Sequence, residues 1–491
     1  MRVDNISKDK KFDDFQVGDT YVVNKIFNKS DYSSFSKLSG DKNPLHHDED
    51  YAKLNAFKGT IVPLHLVIAP LSSVAGMVFP GHRSLYLSHE VKSHLPVLFN
   101  KEVTYSSKII EKNTAEKILL IRTIVYQGTD ILLSAHQKVQ VRDGEIDSNK
   151  LKNMKFQGSI ISKEESSILI TGAAGEIGQA ITMQLAKKGE NLVLLVRELN
   201  GKTNKLINDA KEYSPNIQVI QMDISDEKNY KKFKNFVSKY KGFIETVIFA
   251  ASPKINANID KQMAVNYSGL KNIIESCLPF WLKRQYGKII YLSSSAIHYH
   301  PQGVDDYTAA KAAATNYLDG IRKRFVQWGV RVHCLASGKV DTSFSENLNL
   351  PSVIQMIPEQ VAEQVVNLAQ DKGTSNFYYW LENSGLRVGD YDFIENKTER
   401  SLEPEIKNDK IMQEVSSNRR DALKDLITDF FNVDKNANWD NVGIGLISGW
   451  DSLRHIEFIL ELERRFSIKL TSKEVELTTN FHDLCNLLEK K

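Results

Sequence analysis

The sequence predicts a multidomain protein. An α+β domain spans residues 1–150, a doubly wound α/β domain with a parallel sheet spans 165–395, and a small all-α domain spans 413–491. Three observations predict this. The chain has 491 residues, too many for one typical core and enough for about three domains. Its patterning changes twice: short β-type runs such as Leu119 to Tyr126 give way to apolar strands alternating with longer helical patterns, and then to helical periodicity throughout. Polar bridges near 146–165 and 395–412 separate the three regimes, and no repeat of fixed period suggests a solenoid.

Composition narrows the function. Apolar content of 41% and charge of 25% are ordinary for a globular protein, and a net charge of +3 argues for neither nucleic acid nor an anionic membrane as partner. No apolar run is long enough to span a bilayer, and the N-terminal residues lack a secretory apolar stretch. Cys277, Cys334 and Cys485 are too far apart to form a metal cluster by spacing and read as buried thiols of a reducing compartment. A cytoplasmic enzyme with no metal centre is the expectation.

In the first domain the informative stretch runs from Ser39-Gly40-Asp41 through Asn43-Pro44 to His46. Pro44 fixes a turn that brings an acid and an imidazole together, and such a pair can hold a water and take its proton. The same turn in a purely structural role would use Asp41 and His46 to satisfy backbone groups. Residues from about Phe12 to Val141 resemble the MaoC-like (R)-specific enoyl-thioester hydratases, which have a hot-dog fold. The matching pieces are Phe12-Asp13-Asp14-Phe15 to Gly18-Asp19, Ser39 to His46, Pro80-Gly81 with Ser84 to Leu87, and Pro96-Val97. The resemblance implies Asp41 and His46 as the catalytic pair, with a nearby hydroxyl at Ser72. Where that family has a Val-His-Gly-Met turn supplying a backbone donor to the thioester oxygen, this chain has Val62-Pro63-Leu64-His65, which moves the role to Leu64.

The second domain opens with the strand Ile168 to Thr171, then Gly172-Ala173-Ala174-Gly175-Glu176-Ile177-Gly178, then a helical pattern. A glycine-rich turn between strand and helix is the setting of a dinucleotide site, where backbone approaches a pyrophosphate and the helix N-terminus donates to it. Thr171, Gly172, Gly175, Ile177 and Gly178 are therefore candidate cofactor contacts. Arg197 ends the second strand, where an acid would favour NAD and a cation can pair with the 2′-phosphate of NADP(H); it can equally be a solvated strand end. Asp223 follows the third strand and is placed to meet an adenine edge. Further along, Ser293-Ser294-Ser295 ends a strand, and Tyr307 and Lys311 stand four apart on one helix face. A neighbouring ammonium favours a phenolate, so the expectation is a lowered Tyr307 pKa.

These features resemble the short-chain dehydrogenase/reductase family, with its Rossmann fold, over roughly 166–394. The resemblance implies catalytic roles for Asn266, Ser294, Tyr307 and Lys311, with Asn266 holding a water that relays protons to Lys311. Asn266, Tyr307 and Lys311 also contact the cofactor in that reading. Ala336-Ser337-Gly338 to Thr342 matches the family's loop beside the nicotinamide. Two departures stand out. Glu176 occupies a place where the commoner subgroup has glycine, with Gly175 one place earlier, and Phe249-Ala250-Ala251-Ser252 replaces the usual Asn-Asn-Ala-Gly.

In the third domain, Gly449-Trp450-Asp451-Ser452-Leu453 opens an amphipathic helical run. A serine there serves as an ordinary helix cap. In context the segment resembles an acyl carrier protein over about 413–490, a four-helix fold whose serine, here Ser452, carries 4′-phosphopantetheine. Taken together, the resemblances imply an NADPH-dependent 3-ketoacyl-thioester reductase and a 3-hydroxyacyl dehydratase acting on a short acyl thioester held on the fused carrier. A phosphopantetheinyl transferase would load the serine, and an acyltransferase or condensing enzyme would accept the product. Each enzyme family commonly self-associates, so a homodimer is the simplest expected assembly. Rival readings are an active reductase with a passive acyl-binding hot-dog, a non-enzymatic carrier scaffold, and a sugar-nucleotide reductase or epimerase in the central domain.

Overall fold

The structure is a computed structural model. It describes residues 10–144, 158–161, 166–214, 216–344, 355–371, 377–383, 385–389, 409–431, 458–459, 461–463, 465–466 and 481–490, with single positions at 433, 439, 468, 470 and 478. The chain divides into two compact units, 1–395 and 396–491.

The first unit begins with an antiparallel sheet. Its strands are β1 (Thr20–Ile26), β2 (Ser84–Ser93), β3 (Glu102–Asn113), β4 (Ile118–Gln127), β5 (Asp130–Val141) and β6 (Ser159–Ile161), in the order β2-β5-β4-β3-β1-β6. Gly128, at φ +59°, starts the two-residue turn that joins β4 to β5. The bridge read as polar linker contributes β6: its Ser-Ile-Ile run pairs with Thr20 to Val22 of β1, which an apolar pair of residues favours over exposure. Helices α1 (Lys29–Ser39) and α2 (Glu49–Leu54) flank a short 3-10 turn, Pro44–His46. The apolar helix α3 (Leu64–Met77) then lies on one face of the sheet. Val67 and Leu71 pack with Val103, Tyr105, Val125 and Leu133, while Val74, Ala75 and Val78 pack with Ile109, Leu119, Ile121 and Val139.

A buried polar string also ties α3 to the sheet. Ser107, Thr123 and Gln137 bond one another across β3, β4 and β5 at 2.7 and 3.0 Å, and the Gln137 amide donates to the Leu71 carbonyl at 3.1 Å. Tyr105 donates to the Val67 carbonyl at 2.6 Å. With every member bonded, the string orients the helix at little desolvation cost.

The second sheet has the order β14-β13-β12-β11-β10-β7-β8-β9. Its strands are β7 (Ser166–Thr171), β8 (Leu192–Val196), β9 (Ile217–Gln221), β10 (Phe243–Phe249), β11 (Gly287–Ser294), β12 (Val330–Ser337), β13 (Tyr378–Glu382) and β14 (Gly385–Gly389). All neighbours are parallel except β13 and β14. The connecting helices are α4 (Glu176–Lys187), α5 (Gly201–Lys211), α6 (Glu227–Lys239), α7 (Ile259–Met263), α8 (Leu270–Arg284), α9 (Ala296–Tyr299), α10 (Asp305–Phe325) and α11 (Pro358–Gln370). They cover both faces with two apolar clusters, the arrangement of a Rossmann-like doubly wound domain. The strand expected to be last, near Asn376 to Leu381, is followed by β14, because the exposed turn after Glu382 folds back as a hairpin. Lys288 is fully buried and donates to the carbonyls of Leu368, Ala369 and Asp371 at 2.8, 2.7 and 2.5 Å, closing the C-terminus of α11.

The two sheets share one unit because β4 is buried on both faces. Leu119, Ile121, Thr123 and Val125 face α3, and Arg122, Ile124 and Tyr126 face the second domain. Gln285, in the left-handed region at φ +47°, ends α8 there. Its amide donates to the Ser106 and Arg122 carbonyls at 2.9 and 3.2 Å and accepts from Arg122 Nε at 2.6 Å. Lys108 donates to the Arg284 and Gln285 carbonyls, and burial pushes its pKa down to about 8.

The second unit contains α12 (Asp409–Phe431), longer than the expected Ala422 start, and α13 (Phe481–Lys490). Leu423, Leu426, Ile427 and Phe431 pack with Phe458, Ile459, Leu462, Phe481, Leu484 and Leu488 in a small core. Cys277, Cys334 and Cys485 are all buried and in the reduced form. Among the described residues no helix is long and apolar enough to cross a membrane.

Gln285→Gly tests the seam between the sheets. Glycine relieves the left-handed backbone, worth about 1 kcal/mol, yet strands the Arg122 and Ser106 groups, so a net loss of about 2 kcal/mol is expected in urea unfolding followed by intrinsic fluorescence. A midpoint equal to that of the wild type would show the amide network contributes nothing.

Candidate active site

The parallel sheet reverses its strand order between β7 and β10, and the crevice beyond the strand ends at such a point is where ligands bind. The glycine turn lies there. Gly172 has φ +68°, and a Cβ on it would come within 2.7 Å of the Ala251 backbone. A Cβ on Gly178 would stand 2.1 Å from the Gly172 carbonyl. Gly175 donates to the same carbonyl at 2.9 Å and caps α4. Thr171 accepts from the Ala250 and Ala251 amides at 3.3 Å, locking turn to strand end. Ile177 is half-buried at the start of α4, packed against the apolar cluster behind it. Glycine is thus required for the turn to pack this tightly against its own strand and β10, and such a tight strand–turn–helix corner fits a dinucleotide.

Arg197 is exposed just past β8 and stands 3.5 Å from Glu198. Asp223 is more committed than its sequence position suggests. Its Oδ1 accepts from the Ser225 amide and hydroxyl at 2.8 and 2.6 Å, and its other oxygen lies 3.7 Å from Lys261. Burial raises its pKa, but the Ser225 bonds and the Lys261 and Arg197 charges outweigh it and hold the carboxyl below the ordinary range.

Around the strand ends on the other side, Ser294, Tyr307 and Lys311 come together, and the helical turn that bears Asn266 packs against the same helix, α10. Ser293 bonds Thr315 within the core at 3.0 Å, so period-2 alternation turns Ser294 outward to hydrogen-bond Tyr307. Lys311 donates to the Leu292 carbonyl at 2.7 Å, with its ammonium 5.7 Å from the Tyr307 ring centroid. Asn266 lies in a π-helical turn, Ala264–Gly269, an irregularity frequent at functional sites. Its amide donates to Gln262 at 2.9 Å, while its buried Oδ1 has no partner among the described residues. A buried acceptor left open suits a bound water.

The expected lowering of the tyrosine pKa is not found. Tyr307 is fully buried, and desolvation pushes its phenol up to about 12 against the smaller opposite effect of Ser294. Lys311 is buried as well, which pushes its ammonium down to about 7. Burial dominates both shifts because each charged form would lose its water in the interior.

The first sheet presents a second constellation. His46 Nδ1 lies 2.7 Å from the Ile61 carbonyl and must donate to it, so in the neutral ring Nε2 carries the lone pair. That nitrogen is 3.5 Å from Asp41 Oδ2. Two acceptors at that spacing are suited to a water donating a proton to each. Gly40, at φ +77°, ends α1 and turns the chain toward Asp41, whose carbonyl accepts from Ser36 and Tyr32 at 2.7 and 3.2 Å. Leu64 is the first residue of α3, so its amide is one of the helix's donors without an intrahelical acceptor. Ser72 is exposed on α3, while its neighbours Leu71 and Val74 are buried. Ser452 lies outside the described residues.

Sequence reasoning missed the Ile61 carbonyl, Gln262 and Phe344, whose ring packs edge-on against Tyr307 at 5.7 Å. Gln262 has a linear signal, since it stands four residues before Asn266 on adjoining helical turns; the Ile61 carbonyl and Phe344 have none and meet their sites only in space.

The short chain dehydrogenase family model matches residues 166–352. These residues form a short-chain dehydrogenase domain. An uncharacterized oxidoreductase of Staphylococcus epidermidis is 26% identical across 212 residues, covering 41% of this chain and 90% of that protein. One of Staphylococcus aureus is 26% identical across 207 residues, covering 40% and 88%. Solved structures similar to the dehydrogenase domain include a 3-oxoacyl (acyl-carrier-protein) reductase from Agrobacterium tumefaciens with NADP bound, 22% identical, TM-score 0.38, covering 42% of this chain and 88% of that one. Another is a short-chain dehydrogenase from Sphingobium yanoikuyae in complex with NADPH, 18% identical, TM-score 0.39, covering 44% and 87%.

Lys311 sets a pH dependence. Between its folded pKa of about 7 and the ordinary 10.5, the unfolded chain holds a proton that the folded chain has released, so stability rises with pH across that window. The unfolding midpoint of the wild type relative to Lys311→Met should climb from about pH 7 to about pH 10; curves that run parallel would contradict it.

Proposed function

We propose that this chain is an NADPH-dependent 3-ketoacyl-thioester reductase joined to a 3-hydroxyacyl-thioester dehydratase, with a carrier domain that holds the acyl group. The observation that supports the reductase part is the Ser294–Tyr307 hydrogen bond with Lys311 beside the ring, in the domain that also carries the Gly172 turn and the open Asn266 acceptor. A nicotinamide, when bound, would supply hydride to the C3 carbonyl. The Gly172–Gly178 turn would hold its pyrophosphate, and Arg197 would pair with a 2′-phosphate. Tyr307 gives its proton to the developing alkoxide, and its raised pKa keeps it in the protonated form that reduction needs. Ser294 bonds the same oxygen. Lys311 restores the phenol proton through a water held by Asn266.

The dehydratase part rests on the Asp41–His46 geometry and on the single helix laid against an antiparallel sheet, the layout of a hot-dog fold. His46 takes or gives the water proton at Nε2, Asp41 orients that water, and the Leu64 amide bonds the thioester oxygen. The carrier part rests on the Asp451-Ser452-Leu453 resemblance and on the small helical core that follows the two sheets. A linked carrier raises local substrate concentration to the order of millimolar. A phosphopantetheinyl transferase, a downstream acyltransferase or condensing enzyme and a cytoplasmic homodimer belong to the same proposal.

Purified full-length protein should oxidise NADPH in the presence of acetoacetyl thioester, and Tyr307→Phe should lose ~100-fold or more in rate. Crotonyl thioester should be hydrated, with a loss of similar size, ~100-fold, in Asp41→Asn. If Asp41→Asn hydrates as fast as the wild type, the first domain is a passive acyl binder. Incubation with coenzyme A and a phosphopantetheinyl transferase should add one pantetheine arm to intact mass, and Ser452→Ala should abolish the gain; a gain that persists places the arm elsewhere.

A further inference from the structure

Glu176 is the first residue of α4, directly after the Gly175 cap, on the helix end where backbone donors and the helix dipole favour a phosphate. A carboxylate there opposes the anion the turn is shaped to receive. It also has a partner of its own. Glu176 accepts from the Ser343 amide at 3.1 and 3.4 Å and from the Ser343 hydroxyl at 2.5 Å.

Ser343 belongs to the short segment 341–344 beyond β12. Val340 bridges Met356, and the Asp341 amide donates to the Met356 carbonyl at 2.8 Å, so the base of the segment is anchored. The residue after Ser343 is Phe344, whose ring meets Tyr307 edge-on at 5.7 Å. Glu176 therefore links the phosphate-binding turn to the residue packed on the tyrosine. Glycine at this place would leave Ser343 without that acceptor.

We propose that Glu176 is a positioning residue with two opposed effects. Through Ser343 it orders Phe344 against Tyr307, which favours turnover. Through its charge beside the helix N-terminus it weakens binding of the dinucleotide pyrophosphate, which favours release of the spent cofactor. The inference rests on the reductase reading above and adds to it a residue that sets the balance between cofactor affinity and rate.

The test uses the full chain with E176Q, E176A and S343A, reading NADPH affinity by nicotinamide fluorescence alongside kcat and KM for acetoacetyl thioester. E176Q and E176A should both bind NADPH ~10-fold more tightly, because both remove the charge. E176A should lose ~10-fold in kcat, and E176Q should restore part of that loss, because the glutamine carbonyl still accepts from Ser343. S343A should lower kcat without tightening NADPH, since the carboxylate stays. NADPH affinity unchanged or weaker in both Glu176 variants overturns the charge effect, and S343A turning over like the wild type overturns the positioning effect. A wild type that binds no dinucleotide overturns the reductase reading and this inference with it, an outcome distinct from tight wild-type binding that the variants leave unaltered.

Discussion

The close approach of the Gly172 turn to the end of β10 is the constraint on which the central domain depends. A single Cβ at Gly172 would run into Ala251, and one at Gly178 into the Gly172 carbonyl. Backbone packed that tightly brings β7, α4 and β10 together at the point where strand order reverses. Every other candidate group of the dehydrogenase domain takes its place from this corner. Glu176 starts the helix it launches, Arg197 and Asp223 end the next two strands, and the Ser294 strand pairs directly with β10.

Burial then decides the chemistry of the groups placed there. Tyr307 and Lys311 are both withdrawn from water, and each is pushed toward its neutral form, the phenol up to about 12 and the ammonium down to about 7. Spacing on a helix identifies such a pair but is silent about desolvation, which depends on atoms from β11, β12 and the segment bearing Phe344. Glu176 illustrates the same separation: its departure from glycine is visible in a line of sequence, whereas its bond to Ser343, 167 residues away, is not.

The seam between the two sheets shows how one unit is made from two layers. Strand β4 is covered on both faces, so where a lone sheet would show a polar outer face it carries Ile124 and Tyr126 instead. Arg122 is admitted only because Gln285 and the Gln327 carbonyl meet it. Buried polar groups matched in this way specify one docking geometry, since any slip would leave several of them unpaired.

What the sequence by itself determined is local and periodic: the strand–glycine–helix order of the dehydrogenase domain, the Tyr307–Lys311 face, the Asp41–Pro44–His46 turn and the helices α12 and α13. These follow from steric and hydrogen-bonding rules that act within a few residues. Tertiary structure alone decided the rest. It made Ser159–Ile161 a strand, gave His46 its Ile61 acceptor and hence its tautomer, left Asn266 Oδ1 open, engaged Asp223 with Ser225 and Lys261, and reversed the expected shift at Tyr307. Each of those outcomes depends on which distant groups exclude water or supply a partner, and that is settled only when the layers close.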